Sequence, residues 1–95
     1  MITYEDIIEK SSIHPSISDG RQTKFETPDL ILSIVGGEWG LFGNFIDTFE
    51  IAIIDKKTKK FVTPFFYPEI CENGDDVMRF VDKERMLKIV NQIIK

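Results

Sequence analysis

Leu30-Ile31-Leu32-Ser33-Ile34-Val35, closed by Gly36-Gly37, is the stretch from which the rest of the chain can be read. A short apolar run of this kind, rich in branched side chains and bounded by Pro28-Asp29 and two glycines, reads as a β-strand. Successive side chains of a strand point to opposite faces. Near-continuous apolarity therefore predicts a central strand covered on both sides.

Downstream, Phe45, Asp47, Phe49, Ile51 and Ile53 alternate with Ile46, Thr48, Glu50, Ala52 and Ile54. Period-two spacing predicts a second strand from Phe45 onward with Phe49, Ile51 and Ile53 inward. Asp55 to Lys60 is a polar turn carrying four lysines. Phe61 to Tyr67 then reads as the returning strand of a hairpin, placed at a sheet edge because Pro64 has no N–H to donate. Residues 69–76 form an acidic loop. Asp75 or Asp76 opens a short helical turn containing Val77, Phe80 and Val81. Asp82 caps a last helix whose apolar stripe is Met86, Leu87, Val90, Ile93 and Ile94.

Upstream, Arg21 to Thr27 has the alternation of a modest strand with Thr23 and Phe25 on one side. His14-Pro15 and Ser18-Asp19-Gly20 mark residues 11–20 as loop and turn. Thr3 followed by Asp6 reads as an N-cap and first-turn acid of a short helix to about Lys10, with Ile7 and Ile8 buried. The expected fold is α+β: a small antiparallel sheet of three to four strands, with an N-terminal helix and one or two C-terminal helices packed on it. Residues 1–95 are expected to form a single domain.

Composition narrows the function classes. The chain is 42% apolar with eight Phe, enough for a core without staples. One cysteine, Cys71, excludes an internal disulfide and fits a reducing, cytoplasmic setting. Met1 to Lys10 carries Glu5, Asp6 and Glu9, which is not a signal-peptide start. The apolar runs fall far short of a membrane span. The net charge is −4, which argues against direct nucleic-acid binding. Residues 1–48 hold 8 acids against 3 bases, and residues 49–95 hold 8 against 9, so one face is expected to be acidic.

Several motifs fail on chemistry. One histidine and one cysteine cannot make a zinc cluster; His14 and Cys71 read as a turn residue and a small semi-buried residue. In Glu69 to Asp76, with Gly74 at the turn position, Cys71 and Phe80 fall where a calcium loop needs acids. Pro28-Asp29 with Asp55-Lys56-Lys57 imitates the acid pair and lysine of metal-dependent nucleases, but a hairpin turn is expected to point Asp55 and Lys57 away from Asp29. Lys56, Lys57, Lys59 and Lys60 read as a solvated turn that protects a sheet edge. No catalytic residue, metal site or cofactor is expected.

Gly36-Gly37-Glu38-Trp39-Gly40-Leu41-Phe42-Gly43-Asn44 is the most unusual stretch. It lacks the lysine and hydroxyl of a phosphate loop. One reading folds Trp39, Leu41 and Phe42 back over the core; the other projects them as an aromatic anchor for a partner. In general character, short and acidic without a catalytic constellation, the chain resembles small phage or mobile-element accessory proteins; that likeness is one of composition alone. The leading expectation is a non-catalytic interaction protein that binds and modulates or inhibits a larger protein partner. Its anchor would be Trp39, Leu41 and Phe42. If the partner is a nucleic-acid enzyme, as for an anti-CRISPR or anti-restriction inhibitor, Glu38, Asp47, Glu69, Glu72, Asp75 and Asp76 would enter its phosphate-binding groove. The alternatives are a self-assembling subunit, pairing through Trp39, Phe42 and the 61–67 edge, and a carboxylate or metal-dependent enzyme.

Overall fold

The N-terminal helix begins where a capping box places it. In the structure, a computed structural model that describes residues 1–13, 20–37, 43–68 and 76–94, α1 spans Tyr4–Lys10. The Thr3 hydroxyl accepts from the Asp6 N–H at 3.3 Å, and the Asp6 carboxylate accepts from the Thr3 N–H at 2.9 Å. Two helix-end donors are thereby satisfied reciprocally. Ile7 is fully buried. Ile8, expected beside it in the core, is instead on the exposed side, because adjacent helical residues lie about 100° apart around the axis.

The strands follow as β1 (Ser12–Ile13), β2 (Arg21–Glu26), β3 (Leu30–Gly36), β4 (Thr48–Asp55) and β5 (Met78–Asp82), with α2 (Thr63–Phe66) between β4 and β5 and α3 (Lys83–Ile93) at the end. They form one antiparallel sheet in the order β1-β2-β3-β4-β5. β1 is a two-residue strand in a stretch read from sequence as loop; the other four strands make up the body of the sheet. β3 is central, and its Leu32, Ser33, Ile34 and Val35 are all buried, as continuous apolarity requires. Pro28-Asp29 forms the two-residue turn between β2 and β3. There the Thr27 N–H donates to Leu30 C=O at 2.9 Å, and the Thr27 hydroxyl accepts from the Leu30 N–H at 2.9 Å.

The core lies between the sheet and the long helices. Leu32 and Ile34 of β3, together with Phe49, Ile51 and Ile53 of β4, meet Ile7 of α1 and Met86, Ile89 and Val90 of α3. Each such side chain contributes roughly 1.5–3 kcal/mol of hydrophobic stabilisation on burial. α3 starts at Asp82, whose carboxylate accepts from the Arg85 N–H at 2.8 Å. The Asn91 side chain ties the N-terminus to α3, accepting from the Ile2 N–H at 2.8 Å and donating to Ile2 C=O at 2.9 Å.

Three elements depart from the reading of the sequence. β4 begins at Thr48 and not at Phe45, because Asn44 Oδ1 gathers the N–H groups of Ile46, Asp47 and Thr48 at 2.8, 3.0 and 3.2 Å. This turn holds Phe45 at a φ of 64°, in the left-handed region. The segment 61–67 is not an edge strand. Phe61 makes one isolated bridge to Ile54, and Thr63–Phe66 then turn into α2 with Pro64 in its first turn, where a missing N–H costs nothing. The Thr63 hydroxyl, fully buried, accepts from the Ile53 N–H at 2.8 Å and so serves the edge of β4 where β5 does not reach. Residues 78–82 form β5 and not a helical turn. Phe49 pairs with Val81 but Ile51 with Met78, so one residue of β4 faces two of β5. This β-bulge puts Phe80 at a φ of 50° and turns Met78 and Val81, three apart, both inward.

Candidate functional site

Most of the expected partner surface lies outside the described residues: Glu38, Trp39, Leu41 and Phe42 in the glycine-rich connection, and Glu69, Glu72 and Asp75 in the acidic loop. His14 and Cys71 lie outside them too. The anchor reading of Trp39, Leu41 and Phe42 therefore rests on sequence alone. What the structure does define is the root of the glycine-rich connection. The Gly37 N–H donates to Gly43 C=O at 2.9 Å, closing its mouth. A Cβ on Gly36 would lie 2.5 Å from the Phe45 nitrogen, and one on Gly43 would lie 2.8 Å from Phe49 Cα. Glycine is required at both points because backbone crosses backbone there.

Asp47 and Asp76 are the two expected acids that can be placed, and both are exposed. They are not brought together. Asp47 precedes Thr48, which pairs with Asp82 at the far end of β5, whereas Asp76 precedes Met78 at its near end. The Asp47 carboxylate also accepts from the Asn44 side-chain amide at 2.8 Å, so it braces the turn that launches β4.

The nuclease-like pattern meets a different obstacle from the one expected. Asp29 and Asp55 are neighbours: Leu30 pairs with Asp55, and the Lys56 N–H donates to Asp29 C=O at 2.9 Å. The two backbones thus lie side by side, while the Asp55 side chain turns into its own loop. The Asp55 carboxylate is committed elsewhere, accepting from the Lys57 and Thr58 N–H groups, each at 2.9 Å. These bonds, first that from Thr58, hold its pKa below the ordinary carboxylate value. Lys56 reaches Glu26 at 3.4 Å and Thr27 C=O at 3.2 Å, which fastens the lysine turn to β2. Among the described residues, no three His, Cys, Asp or Glu side chains gather as a metal site, and no helix is long and apolar enough to cross a membrane.

The surface that sequence reasoning missed is aromatic. Phe65 is 83% exposed, and Phe61 and Phe66 are 45% and 46% exposed. All three lie within six residues around α2, a single helical turn beside the outer edge of β4. Their backbone is fixed from within. Thr63 and Val62 bond to Ile53, Val62 and Tyr67 pack on the core, and the Tyr67 hydroxyl donates to the Gln92 side chain of α3 at 2.6 Å. A hydrogen-bonded turn thus presents large apolar side chains to solvent. Assigning 61–67 to a strand hid this, since alternation would have sent every second aromatic inward. The face of the sheet away from the core cluster carries a groove of ≈ 250 Å³, with Val35, Ala52 and Ile54 along it and Phe61 at one side. Comparison with protein-family models, with curated proteins and with solved structures found no match to this chain.

Proposed function

We propose that this chain is a non-catalytic interaction protein, acting in the cytoplasm, that binds a larger protein partner and modulates or inhibits it. The observation that carries the reading is the exposed aromatic turn Phe61, Phe65 and Phe66, held on a fixed backbone by Thr63 and Tyr67. Clustered aromatics of this kind are costly to leave in water and are the side chains that anchor protein interfaces. Because the turn is already ordered, little conformational entropy is lost when a partner covers it. The net charge of −4 adds long-range attraction to a basic partner and favours fast encounter with it.

The test separates this anchor from the one expected in the glycine-rich connection. Affinity capture from lysate of the source cells compares wild type with a Phe65→Ser, Phe66→Ser chain and a Trp39→Ala, Phe42→Ala chain, each with an unchanged circular dichroism spectrum. Loss of a stoichiometric partner with the Phe65, Phe66 variant supports the α2 surface, and loss only with the Trp39, Phe42 variant moves the anchor to the glycine-rich connection. Equal capture by all three chains would overturn both.

A further inference from the structure

The helices pack on one face of the sheet, and the other face is built in rows. Strand register sets Gln22, Val35 and Glu50 side by side, then Lys24, Ser33 and Ala52, then Glu26, Ile31 and Ile54. Alternation sends these side chains to the face away from Leu32, Ile34 and Ile51. Ser33 and Ala52, the smallest of them, share the middle row, so the surface sinks between taller neighbours. The groove of ≈ 250 Å³ follows from this, with Val35 and Ile54 to either side of Ala52, and Phe61 and Val77 closing it beyond β4.

The groove is apolar along this length and polar at its β2 end. The Ser33 hydroxyl, on a residue only 7% exposed, accepts from Gln22 Nε2 at 3.2 Å. Its own proton is left to donate into the groove. Lys24 lies opposite Ser33 in the ladder and is exposed. Among the described residues it forms no ion pair, the neighbouring acid Glu26 being held by Lys56. Beyond Lys24 and Gln22 a second hollow, of ≈ 280 Å³, adds Lys10 and Ser12. Two ammonium groups and a hydroxyl donor therefore stand at one end of an apolar trough, and the acid that borders it, Glu50, is two strands away from Lys24.

We propose that this groove binds a small monocarboxylate with an aliphatic or aromatic body. The carboxylate accepts from Lys24 Nζ and from the Ser33 hydroxyl at the β2 end. The body lies over Ala52 between Val35 and Ile54, and its far end meets Phe61. Charge-assisted bonds orient the head, and apolar burial holds the body. A trough with apolar walls and a few convergent polar groups is the usual form of a small-molecule site, and its volume, just below the common range, suits a ligand of octanoate size. Glu50 disfavours a second acid on the body, so the charge of the ligand is confined to one end.

Octanoate and octanamide, equal in length, are the probes in a residue-resolved NMR titration of the whole chain. Octanoate is expected to give saturable shifts at Lys24, Ser33, Ala52 and Ile54, with a dissociation constant of roughly a millimolar. Octanamide is expected to bind several-fold more weakly. Lys24→Gln removes the charge from an exposed side chain, and should weaken octanoate about fivefold while leaving octanamide unchanged. Ala52→Leu fills the groove and is expected to abolish the shifts from both probes. Circular dichroism checks its fold, and Lys24→Gln decides the matter if that fold is lost. No saturation by octanoate up to roughly ten millimolar overturns the proposal. So do shifts confined to α2, octanamide binding as tight as that of octanoate, or octanoate binding indifferent to Lys24→Gln. The α2 reading stands or falls separately, because every variant here keeps Phe61, Phe65 and Phe66.

Discussion

Thr63 shows how one side chain can do the work of a missing strand. β5 covers the first half of β4 only, and beyond Ile51 the Ile53 N–H faces Thr63 Oγ1 at 2.8 Å. Thr63→Val keeps the shape and leaves that N–H buried without a partner, so a loss of about 1–3 kcal/mol is expected in chemical denaturation. Gly36 is constrained by space, with the Phe45 nitrogen 2.5 Å from where a Cβ would sit. Gly36→Ala is therefore expected to cost about 1–3 kcal/mol, with a lowered melting temperature as the readout. Asp6 and Asp55 carry the acid response. The Thr3 N–H holds the Asp6 pKa below its ordinary value, and the Thr58 N–H does the same for Asp55. A depressed folded-state pKa contributes stability that is present above the unfolded value, near pH 3.9, and is lost as pH falls through the lower folded value. Melting temperatures measured downward from about pH 4 should thus fall more steeply for wild type than for an Asp6→Asn, Asp55→Asn chain, whose amides can still accept these bonds but do not titrate in that window.

Among the elements, α1 and α3 announce themselves through their caps, and β5 and α2 do not. Asp82 ends β5 and starts α3 in the same residue, its carboxylate on the Arg85 N–H. Asp82→Ala is expected to cost about 1 kcal/mol, seen as a shift of the urea midpoint without a change of slope. The sequence reading took Val77, Phe80 and Val81, at spacings of three and four, for a helical turn, whereas the bulge opposite Glu50 turns Met78 and Val81 inward at a spacing of three and leaves Phe80 exposed. That spacing is the signature of a helix, and only the partner strand reveals it as a strand with one extra residue. α2 escaped for the opposite reason. Its aromatic run satisfies every local preference for a strand, and Pro64 is compatible with an edge strand as well as with a helix start. The bond from the Ile53 N–H to the Thr63 hydroxyl is an interaction over ten residues, and it decides for the helix.

For the molecule as a whole, the proposed partner surface lies at α2, beside the outer edge of β4. Partner binding through α2 is expected to be largely apolar with an electrostatic component in its rate. Raising salt from about 0.1 to 1 M, which shortens the Debye length from about 10 Å to 3 Å, should slow association several-fold and leave dissociation nearly unchanged in surface plasmon resonance. If both rates prove indifferent to salt, the acidic charge has no part in recognition. The sequence by itself determined the α+β class, the central position of β3, the inward set Phe49, Ile51 and Ile53, the lysine turn and the caps at Thr3 and Asp82. These depend on period, length and near neighbours, which are local properties of the chain. Of the expected partner-binding residues, Asp47 and Asp76 could be located, and strand pairing set them at opposite ends of β5. Tertiary structure alone decided that Thr63–Phe66 would form a helix flanked by exposed aromatics, that 78–82 would join the sheet through a bulge, and that the backbones of Asp29 and Asp55 would lie side by side. Each of these depends on which strand lies alongside, and hydrogen-bond partners distant in sequence leave no periodic trace in it.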